Sequence, residues 1–471
     1  MLSAIKLLLL ICVGLMFFIG QGWLVIGPLL HGSLIKRKST VSYSQELSLI
    51  LISGLIINFG LVLIFQTLSI SLLVSSVLAL IGLICYSVMF FRDNKQQKFT
   101  WNSVGKIFGV GLICALFIGP VMFQPLNSFD WDARSIWFLH AKMVYYAGSF
   151  SQSSGWTHPS IYFSHADYPK LVPTLAAQIT FICGLWNEYL PKVSLYFLII
   201  PAIILIFSFY KRSFSFLFLI ILIPFSFSSK LWNGYMDGHL TFYFALSLLF
   251  LVRYYKDAKP IDLFTSALSL LLLVYLKNEG VLGLLAGGSA ICITLVLKKI
   301  KISIRSVLKN YWRYFALLLL ILLPYAIWSF YKQQWGLKND LGIGSTSSLQ
   351  QFINRMQDGS FKVIINYIHD HMNNGLMLFG LLLIGSFSLR KKIPIEIVPV
   401  LFAGIVYCLG IFTIYMITPW DLSWHLRTSV DRTILTVSVC FFIASYILVE
   451  NYEKNSWLIN KRLLVIAKRQ Y

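Results

Sequence analysis

Two carboxylates, Asp130 and Asp132, lie in a polar segment, residues 125–170, that separates long apolar stretches. A carboxylate at a lipid–water boundary is partly desolvated, which raises its pKa and makes it a better general base. The residues that follow have the spacing of an amphipathic helix along the membrane surface, with Trp137 and Lys142 as anchors. In the alternative interpretation, the two carboxylates only cap the start of this helix.

A third acidic residue, Asp167, precedes the apolar segment 171–186, and Lys170 follows it. Ionisable groups at or within apolar spans often have a function, because burying them is costly. We therefore expect Asp167 to face the same cavity as the first pair and Lys170 to lie near an anionic ligand. The alternative is that Asp167 caps the following helix.

Two further acidic sites occur at the boundaries of later apolar segments. Asp237 precedes one segment, and the turn that contains Lys277 and Glu279 joins two others. Asp237 and Glu279 could shape a polar substrate site, with Lys277 beside a negatively charged group. A glutamate at the end of a span could also simply be solvated.

Three basic or titratable residues, His425, Arg427 and Arg432, lie near the last apolar segment. A guanidinium group matches the geometry of phosphate oxygens, so the two arginines are candidates for holding a phosphate. In the alternative, Arg432 extends to the membrane surface or pairs with Asp431.

The sequence offers little support for a metal site. His369 and His371 flank Asp370, but residues two apart on a helix point about 200° away from each other. The seven cysteines all lie in apolar stretches without metal-ligand spacing. No cofactor is required by the sequence, and a divalent metal remains possible without specific support.

The composition indicates which elements position these residues. Of the 471 residues, 58% are hydrophobic and 12% are charged, whereas soluble proteins carry about 25% charged residues. Apolar runs of about 17–25 residues recur along the chain, which predicts an all-α integral membrane bundle of about 13 transmembrane helices. The predicted parts are an N-terminal four-span segment at 1–124, an extracytoplasmic loop with an interfacial helix at 125–170, a central membrane core at 171–331, an extracytoplasmic loop at 332–373, and a C-terminal membrane segment at 374–471.

The formal net charge of +21 comes from short basic blocks between apolar segments. This distribution is typical of cytoplasmic loops and argues against a nucleic-acid partner. It places the acidic sites on the extracytoplasmic side. One inconsistency remains, because two candidate spans, 171–186 and 193–210, separate the outward segment from the inward block Lys211-Arg212, where an odd number is needed. Either one of them does not cross, or another crossing is present.

Several short motifs occur in a characteristic order. They are Trp131-Asp132-Ala133 with Trp137 and Ala141-Lys142, Asp167-Tyr168-Pro169 with Leu171 and Pro173, Tyr235 with Asp237, Lys277-Asn278-Glu279-Gly280, and Ser429 with Asp431-Arg432. This set resembles bacterial polytopic glycosyltransferases of the GT-C type, related to the protein mannosyltransferases and aminoarabinose transferases. The resemblance covers about residues 130–435.

The resemblance implies a polyprenyl-phosphate-linked sugar as donor and an extracytoplasmic glycan, lipid or protein as acceptor, in the plasma (inner) membrane among its lipids. It implies that Asp132 acts on the acceptor, with Asp130 as its neighbour. Two alternatives stay open. A polysaccharide polymerase or ligase could use His425 with Arg427, and a transporter would require charged groups at mid-span and two similar halves.

Overall fold

The computed structural model describes residues 4–31, 41–94, 109, 125–126, 130–151, 153–210, 213–226, 228–298, 304–339, 345–388 and 392–467. Within these ranges the chain forms helices and turns without a β-strand, apart from one isolated bridge between Thr67 and Ser149. The predicted fourth span, 105–124, lies outside the described residues except for Gly109.

The helices of the described ranges vary from one turn to more than thirty residues. They are α1 (Ala4–His31), α2 (Tyr43–Phe65), α3 (Leu68–Asn94), α4 (Phe138–Ala147), α5 (Ser153–Trp156), α6 (Leu171–Cys183), α7 (Val193–Ile206), α8 (Ser213–Ile220), α9 (Ser229–Trp232), α10 (Met236–Asp257), α11 (Pro260–Leu276), α12 (Gly280–Leu297), α13 (Ile304–Gln334), α14 (Thr346–Gln357), α15 (Ser360–Ser388), α16 (Ile397–Ile417), α17 (Leu422–Thr433) and α18 (Leu435–Ala467).

Eight helical segments among the described residues are long and apolar enough to cross a membrane. They are Ile5–Leu29, Tyr43–Phe65, Leu68–Met89, Leu190–Phe209, Gly280–Leu297, Trp312–Gln334, Ile397–Ile417 and Leu422–Asn455. Shorter apolar helices accompany them. The chain is therefore an all-α, multi-pass membrane protein, as predicted, whereas the predicted count of about 13 spans is not confirmed.

Helix α10 forms the centre of the bundle and is buried along almost its whole length. It packs against α7, α11, α12 and α18. Its first turn carries Asp237 and its last turns carry Arg253, so these two residues lie about 24 Å apart along the axis at about 1.5 Å per residue. The helix thus links two polar clusters at opposite ends of the bundle.

The cluster around Arg253 is a closed network of side chains from separate helices. Its Nη2 atom donates to Asp262 at 2.5 Å and to Gln45 at 2.7 Å, and its Nη1 atom donates to Ser208 Oγ at 3.1 Å. Gln45 in turn donates to Thr265 at 2.8 Å. These bonds satisfy a buried charge and fix the ends of α2, α7, α10 and α11 relative to one another.

The segment that contains α6, residues 167–192, starts and finishes at the same end of the bundle. Ahead of the first turn of α6, Asp167 accepts a hydrogen bond from Asn278 in the turn between α11 and α12. Beyond the last turn of α6, Lys192 lies within electrostatic range of Asp130. The 13 residues of α6 span about 20 Å, less than a hydrocarbon core of about 30 Å.

Helix α7 then runs to the other end, where Ser208 joins the network of Arg253. Only one crossing therefore connects the segment that carries Asp130 to Ser208, and the block Lys211-Arg212 lies outside the described residues. Of the two explanations for the inconsistency in span number, the contacts support the first, with 171–186 as the segment that does not cross.

The helix predicted to lie along the membrane surface is present but packs inward. A π-helical turn, Ala133–Trp137, leads into α4, which packs against α6. Trp137 is fully buried, so it is not the surface anchor that its sequence position predicts. Lys142 lies on the outer side, with its ammonium group 5.9 Å from the ring centroid of Trp186.

Candidate functional site

Five charged side chains form a continuous chain of ion pairs at one end of the bundle. Arg432 Nη1 lies 2.5 Å from Asp132 Oδ2 and 3.4 Å from Asp237 Oδ2. Lys277 Nζ lies 2.9 Å from Asp237 Oδ1 and 3.1 Å from Glu279 Oε1. Two cations thus alternate with three carboxylates. We call these five residues the ion-pair chain.

The fold brings these residues together from four separate segments. Asp132 precedes the π-helical turn, and π-helical turns are frequent at functional sites. Asp237 lies in the first turn of α10, while Lys277 and Glu279 occupy the tight turn between α11 and α12. Arg432 lies at the end of α17.

Two glycines allow the close approach of these segments. Gly234 has φ of 91°, and a Cβ atom on it would lie 2.6 Å from the Cβ of Ala133. A Cβ on Gly280 would lie 2.0 Å from the carbonyl oxygen of Leu273. Any larger residue would therefore separate the Asp132 turn from α10, or open the turn that holds Lys277 and Glu279.

Asp167 is buried beside the ion-pair chain and bonds to amides. Its Oδ2 atom accepts hydrogen bonds from Asn278 at 2.6 Å and from Asn339 at 3.2 Å. It does not cap α6, so the alternative of a simple helix cap does not hold for this residue. The next residue, Tyr168, is half-buried, and its pKa is raised well above the ordinary value, mainly by desolvation and then by the charge of Glu279.

Asp130 lies outside the ion-pair chain, in a different environment from Asp132. Partial burial raises the pKa of Asp130, while the nearby cations Lys192 and Lys230 oppose that shift. Asp132 serves as the residue before the π-helical turn without a side-chain capping bond. Its carboxylate is engaged by Arg432, so Asp132 has the position of a helix cap but not its bonding.

Arg432 does not pair with Asp431, which bonds Lys230 at 3.2 Å instead. The guanidinium group of Arg432 lies 4.6 Å from the ring centroid of Tyr235, within the range of a cation–π contact. Its Nη2 atom donates to the Thr428 carbonyl at 3.2 Å. The group is thus held by one carboxylate at short distance, an aromatic face and its own helix.

Lys277 is held more firmly than Arg432. Burial by itself lowers its pKa, but the carboxylates of Asp237 and Glu279 outweigh burial and hold the pKa well above the ordinary value. Lys277 is therefore a permanent cation. The Oε2 atom of Glu279 is buried without a hydrogen-bond partner, which leaves one acceptor available to a ligand.

Two candidates from the last polar segment differ in their environment. His425 is partly buried, with Nδ1 2.9 Å from Thr418 Oγ1, and lies within electrostatic range of Lys277 and Arg432. Arg427 is exposed, and its Nε atom donates to the carbonyl of Ser423 in the same helix. The structure does not bring Arg427 to the ion-pair chain.

Lys170 is enclosed rather than open to a ligand. Its Nζ atom lies 3.0 Å from His140 Nδ1, and its ammonium position is 4.5 Å from the ring centroid of Trp156 and 5.4 Å from that of Trp328. Burial holds the pKa of Lys170 well below its ordinary value. The side chain is completely inaccessible, so no surface remains for the anionic ligand that its sequence position suggests.

The His369-Asp370-His371 motif lies on the exposed side of α15. His371 Nδ1 bonds the carbonyl of Tyr367 in its own helix, and His369 lies 3.4 Å from Asp370. Over the described ranges, no group of three His, Cys, Asp or Glu side chains converges in a way that could hold a metal ion.

Sequence reasoning missed Asn339, which belongs to the site because it bonds Asp167. An asparagine near a span end is common, so neither its residue type nor its spacing distinguishes it. Tyr235 is part of the motif set with Asp237, and the structure shows its contact with Arg432. Comparison with family models, curated proteins and solved structures finds no match for this chain, and its function is therefore inferred from the geometry.

Proposed function

We propose that this protein is an inverting membrane glycosyltransferase that moves a sugar from a polyprenyl-phosphate donor to an extracytoplasmic acceptor. The ion-pair chain carries this proposal, because it combines a carboxylate, Asp132, with two cations at one end of a membrane bundle. Such a combination suits a reaction in which a hydroxyl loses a proton and a phosphate leaves.

The reaction in this proposal is a single displacement. The acceptor oxygen attacks the anomeric carbon, the bond from that carbon to the phosphate oxygen breaks, and the lipid phosphate leaves as an anion. Asp132 takes the hydroxyl proton as general base. Because a phosphate monoester is a weak base, its departure needs nearby positive charge rather than a proton donor.

The roles of the other residues follow from their bonds. Arg432 is the cation best suited to the leaving phosphate, because its side chain is 13% exposed and its guanidinium group retains donors beyond those used for Asp132. Lys277, which pairs with Asp237 on the side away from Arg432, adds positive charge near the phosphate. Glu279, through its unpartnered Oε2, is suited to accept a hydrogen bond from a sugar hydroxyl.

The membrane architecture is compatible with a donor that has a long apolar tail. In this proposal about 13 helices cross the membrane: the eight long apolar helices, the three shorter ones other than α6, the buried helix α10 and the predicted span 105–124. The site lies on the extracytoplasmic face of the plasma membrane, because the basic blocks between spans favour the cytoplasmic side. Holding donor and acceptor in line would supply much of the rate.

A transfer assay tests the proposal. Purified protein in liposomes is supplied with labelled polyprenyl-phosphate monosaccharides and with acceptor glycans, lipids and peptides, and product formation is followed. Asp132→Asn should lower the rate roughly hundredfold to ten-thousandfold, as for loss of a general base, while insertion and monodispersity stay unchanged. Undiminished turnover in this variant would remove Asp132 from the mechanism.

The same assay separates the alternatives. A polymerase or ligase would prefer a diphosphate-linked oligosaccharide to the monosaccharide phosphate. A transporter would exchange labelled substrate across liposomes without a covalent product. Either outcome would replace the proposed transfer reaction.

A further inference from the structure

In the described structure the proposed base is engaged by the cation that would hold the phosphate. Arg432 Nη1 lies 2.5 Å from Asp132 Oδ2, and each side chain is 13% exposed. A carboxylate oxygen that already accepts a charge-assisted hydrogen bond from a guanidinium group is not free to take the proton of an acceptor hydroxyl. In the described structure the Oδ2 atom of Asp132 is therefore occupied.

We infer that an anionic phosphate group activates this site by taking Arg432 away from Asp132. This inference rests on the proposed function and adds an order to it: the phosphate-bearing lipid binds first, and Asp132 becomes a competent base only afterwards. An acceptor that arrives before the donor then meets an engaged carboxylate, so productive binding has a fixed order with the donor first.

The contacts of the two cations favour Arg432 as the group that moves. Lys277 bonds two carboxylates, at 2.9 and 3.1 Å, and its release would leave Glu279 without a cation and Asp237 with only its longer contact to Arg432. Arg432 has one short carboxylate contact and a second at 3.4 Å. Its release from Asp132 leaves Asp237 still paired with Lys277.

The ring of Tyr235 can keep its contact with the guanidinium group of Arg432 while that group moves from Asp132 toward a phosphate. The guanidinium group lies 4.6 Å from its ring centroid, and a cation can shift across an aromatic face without losing the contact. Since the Nη2 atom bonds only the carbonyl of Thr428 in its own helix, it can turn toward a new acceptor. A phosphate oxygen would supply that acceptor with a stronger, charge-assisted bond.

A phosphate that must displace Asp132 binds more weakly than one that finds Arg432 free. Removing the competing carboxylate should therefore tighten phosphate binding. We expect Asp132→Asn to bind geranyl phosphate roughly tenfold more tightly than the unaltered protein, within the usual range of coupling between two ligands of one group. Geraniol, which lacks the phosphate, should bind both proteins equally.

The experiment is a double-mutant cycle read by equilibrium binding of geranyl phosphate to purified full-length protein. Its members are the unaltered chain, Asp132→Asn, Arg432→Met and the double variant. The gain in affinity from Asp132→Asn should vanish when residue 432 is methionine, because Asp132 and the phosphate then no longer compete for a guanidinium group. Asp130→Asn is the control, because it removes a nearby charge that interacts with Lys192 and Lys230. A partly exposed charge has a weak effect on its neighbours, so the affinity for geranyl phosphate should change less than about twofold.

Unchanged or weakened binding in Asp132→Asn overturns the displacement, as does an equal gain in Asp130→Asn or in the Arg432→Met background. If Arg432→Met does not fold, Arg432→Lys replaces it, and the gain should then shrink because lysine lacks the planar fork. Failure of the proposed function has a different signature: Asp132→Asn transfers sugar at full rate, or geranyl phosphate binds no better than geraniol to any variant.

Discussion

Asp132 and Arg432 are 300 residues apart in the sequence, yet a guanidinium nitrogen of Arg432 lies 2.5 Å from a carboxylate oxygen of Asp132. The contact joins the first polar segment to the last one and forms one end of the ion-pair chain beside α10.

Asp237 should be the member of the ion-pair chain that contributes most to stability. It is buried and bonds both Lys277 and Arg432, so Asp237→Asn removes a negative charge that is paired with two cations. We expect destabilisation of about 3–5 kcal/mol, as for one partner removed from a buried pair. The measurement is thermal unfolding in detergent. Asp431→Asn is the matched control, because it breaks an exposed pair with Lys230 and should cost about 1 kcal/mol or less.

The two arginines of α17 should differ sharply in their effect on activity. Arg427→Ala removes an exposed side chain bonded only to its own helix, so transfer should continue at the original rate. Arg432→Ala removes the partner of Asp132 and the proposed phosphate ligand, so transfer should be lost. Initial rates of both purified variants give the comparison. A severe defect in Arg427→Ala would instead favour the polymerase or ligase chemistry.

His140 should make the protein sensitive to acid. Its pKa is lowered well below 6.5, first by burial and then by the charges of Lys170 and His165. The unfolded chain binds a proton near pH 6.5 that the folded chain does not, so stability is complete above that pH and falls as the pH drops below it.

The acid sensitivity can be measured by the unfolding temperature between pH 8 and pH 5. The loss contributed by His140 should approach about 1.4 kcal/mol per pH unit below about pH 6.5. His140→Gln keeps an acceptor for Lys170 and a donor for Ser164 but cannot titrate. Its unfolding temperature should therefore fall less on acidification, and an identical slope in both proteins would argue against a neutral imidazole.

The topology of α6 can be tested by cysteine labelling. Because α6 does not cross, Ser160→Cys and Glu188→Cys should react with a membrane-impermeant maleimide from the same side. Asp257→Cys, at the far end of α10, should react only from the other side. Intact and inverted vesicles provide the two orientations. Labelling of Ser160→Cys and Glu188→Cys from opposite sides would mean that α6 crosses after all.

Much of the site geometry follows from charge and apolarity along the sequence. The sequence predicts Asp132, Asp237 and Glu279 on one face, because the basic blocks between spans put the acidic segments on the opposite side from the cytoplasm. The structure brings these residues together, with Lys277 between them. Such an argument works for strongly charged groups at span ends, since few other positions satisfy them.

Other features could not be predicted, for physical reasons. Lys170 and Arg427 occupy similar sequence positions, yet one is fully buried beside His140 and the other is exposed. A residue's direction around its helix depends on packing partners far away in the chain. The apolar pattern of α6 is likewise the same for a helix that crosses the membrane and for one that does not. Only the contacts of its flanking residues distinguish the two.

The buried helix α10 has a consequence for how this protein meets its membrane. Its beginning is tied through Asp237 and its end through Arg253, so it can neither slide nor rotate without breaking a network at each end. The helix therefore fixes the distance between the two polar networks across the bilayer. In a thicker or thinner membrane the outer helices must tilt or the lipid must deform, while the depth of the ion-pair chain relative to the opposite surface stays the same.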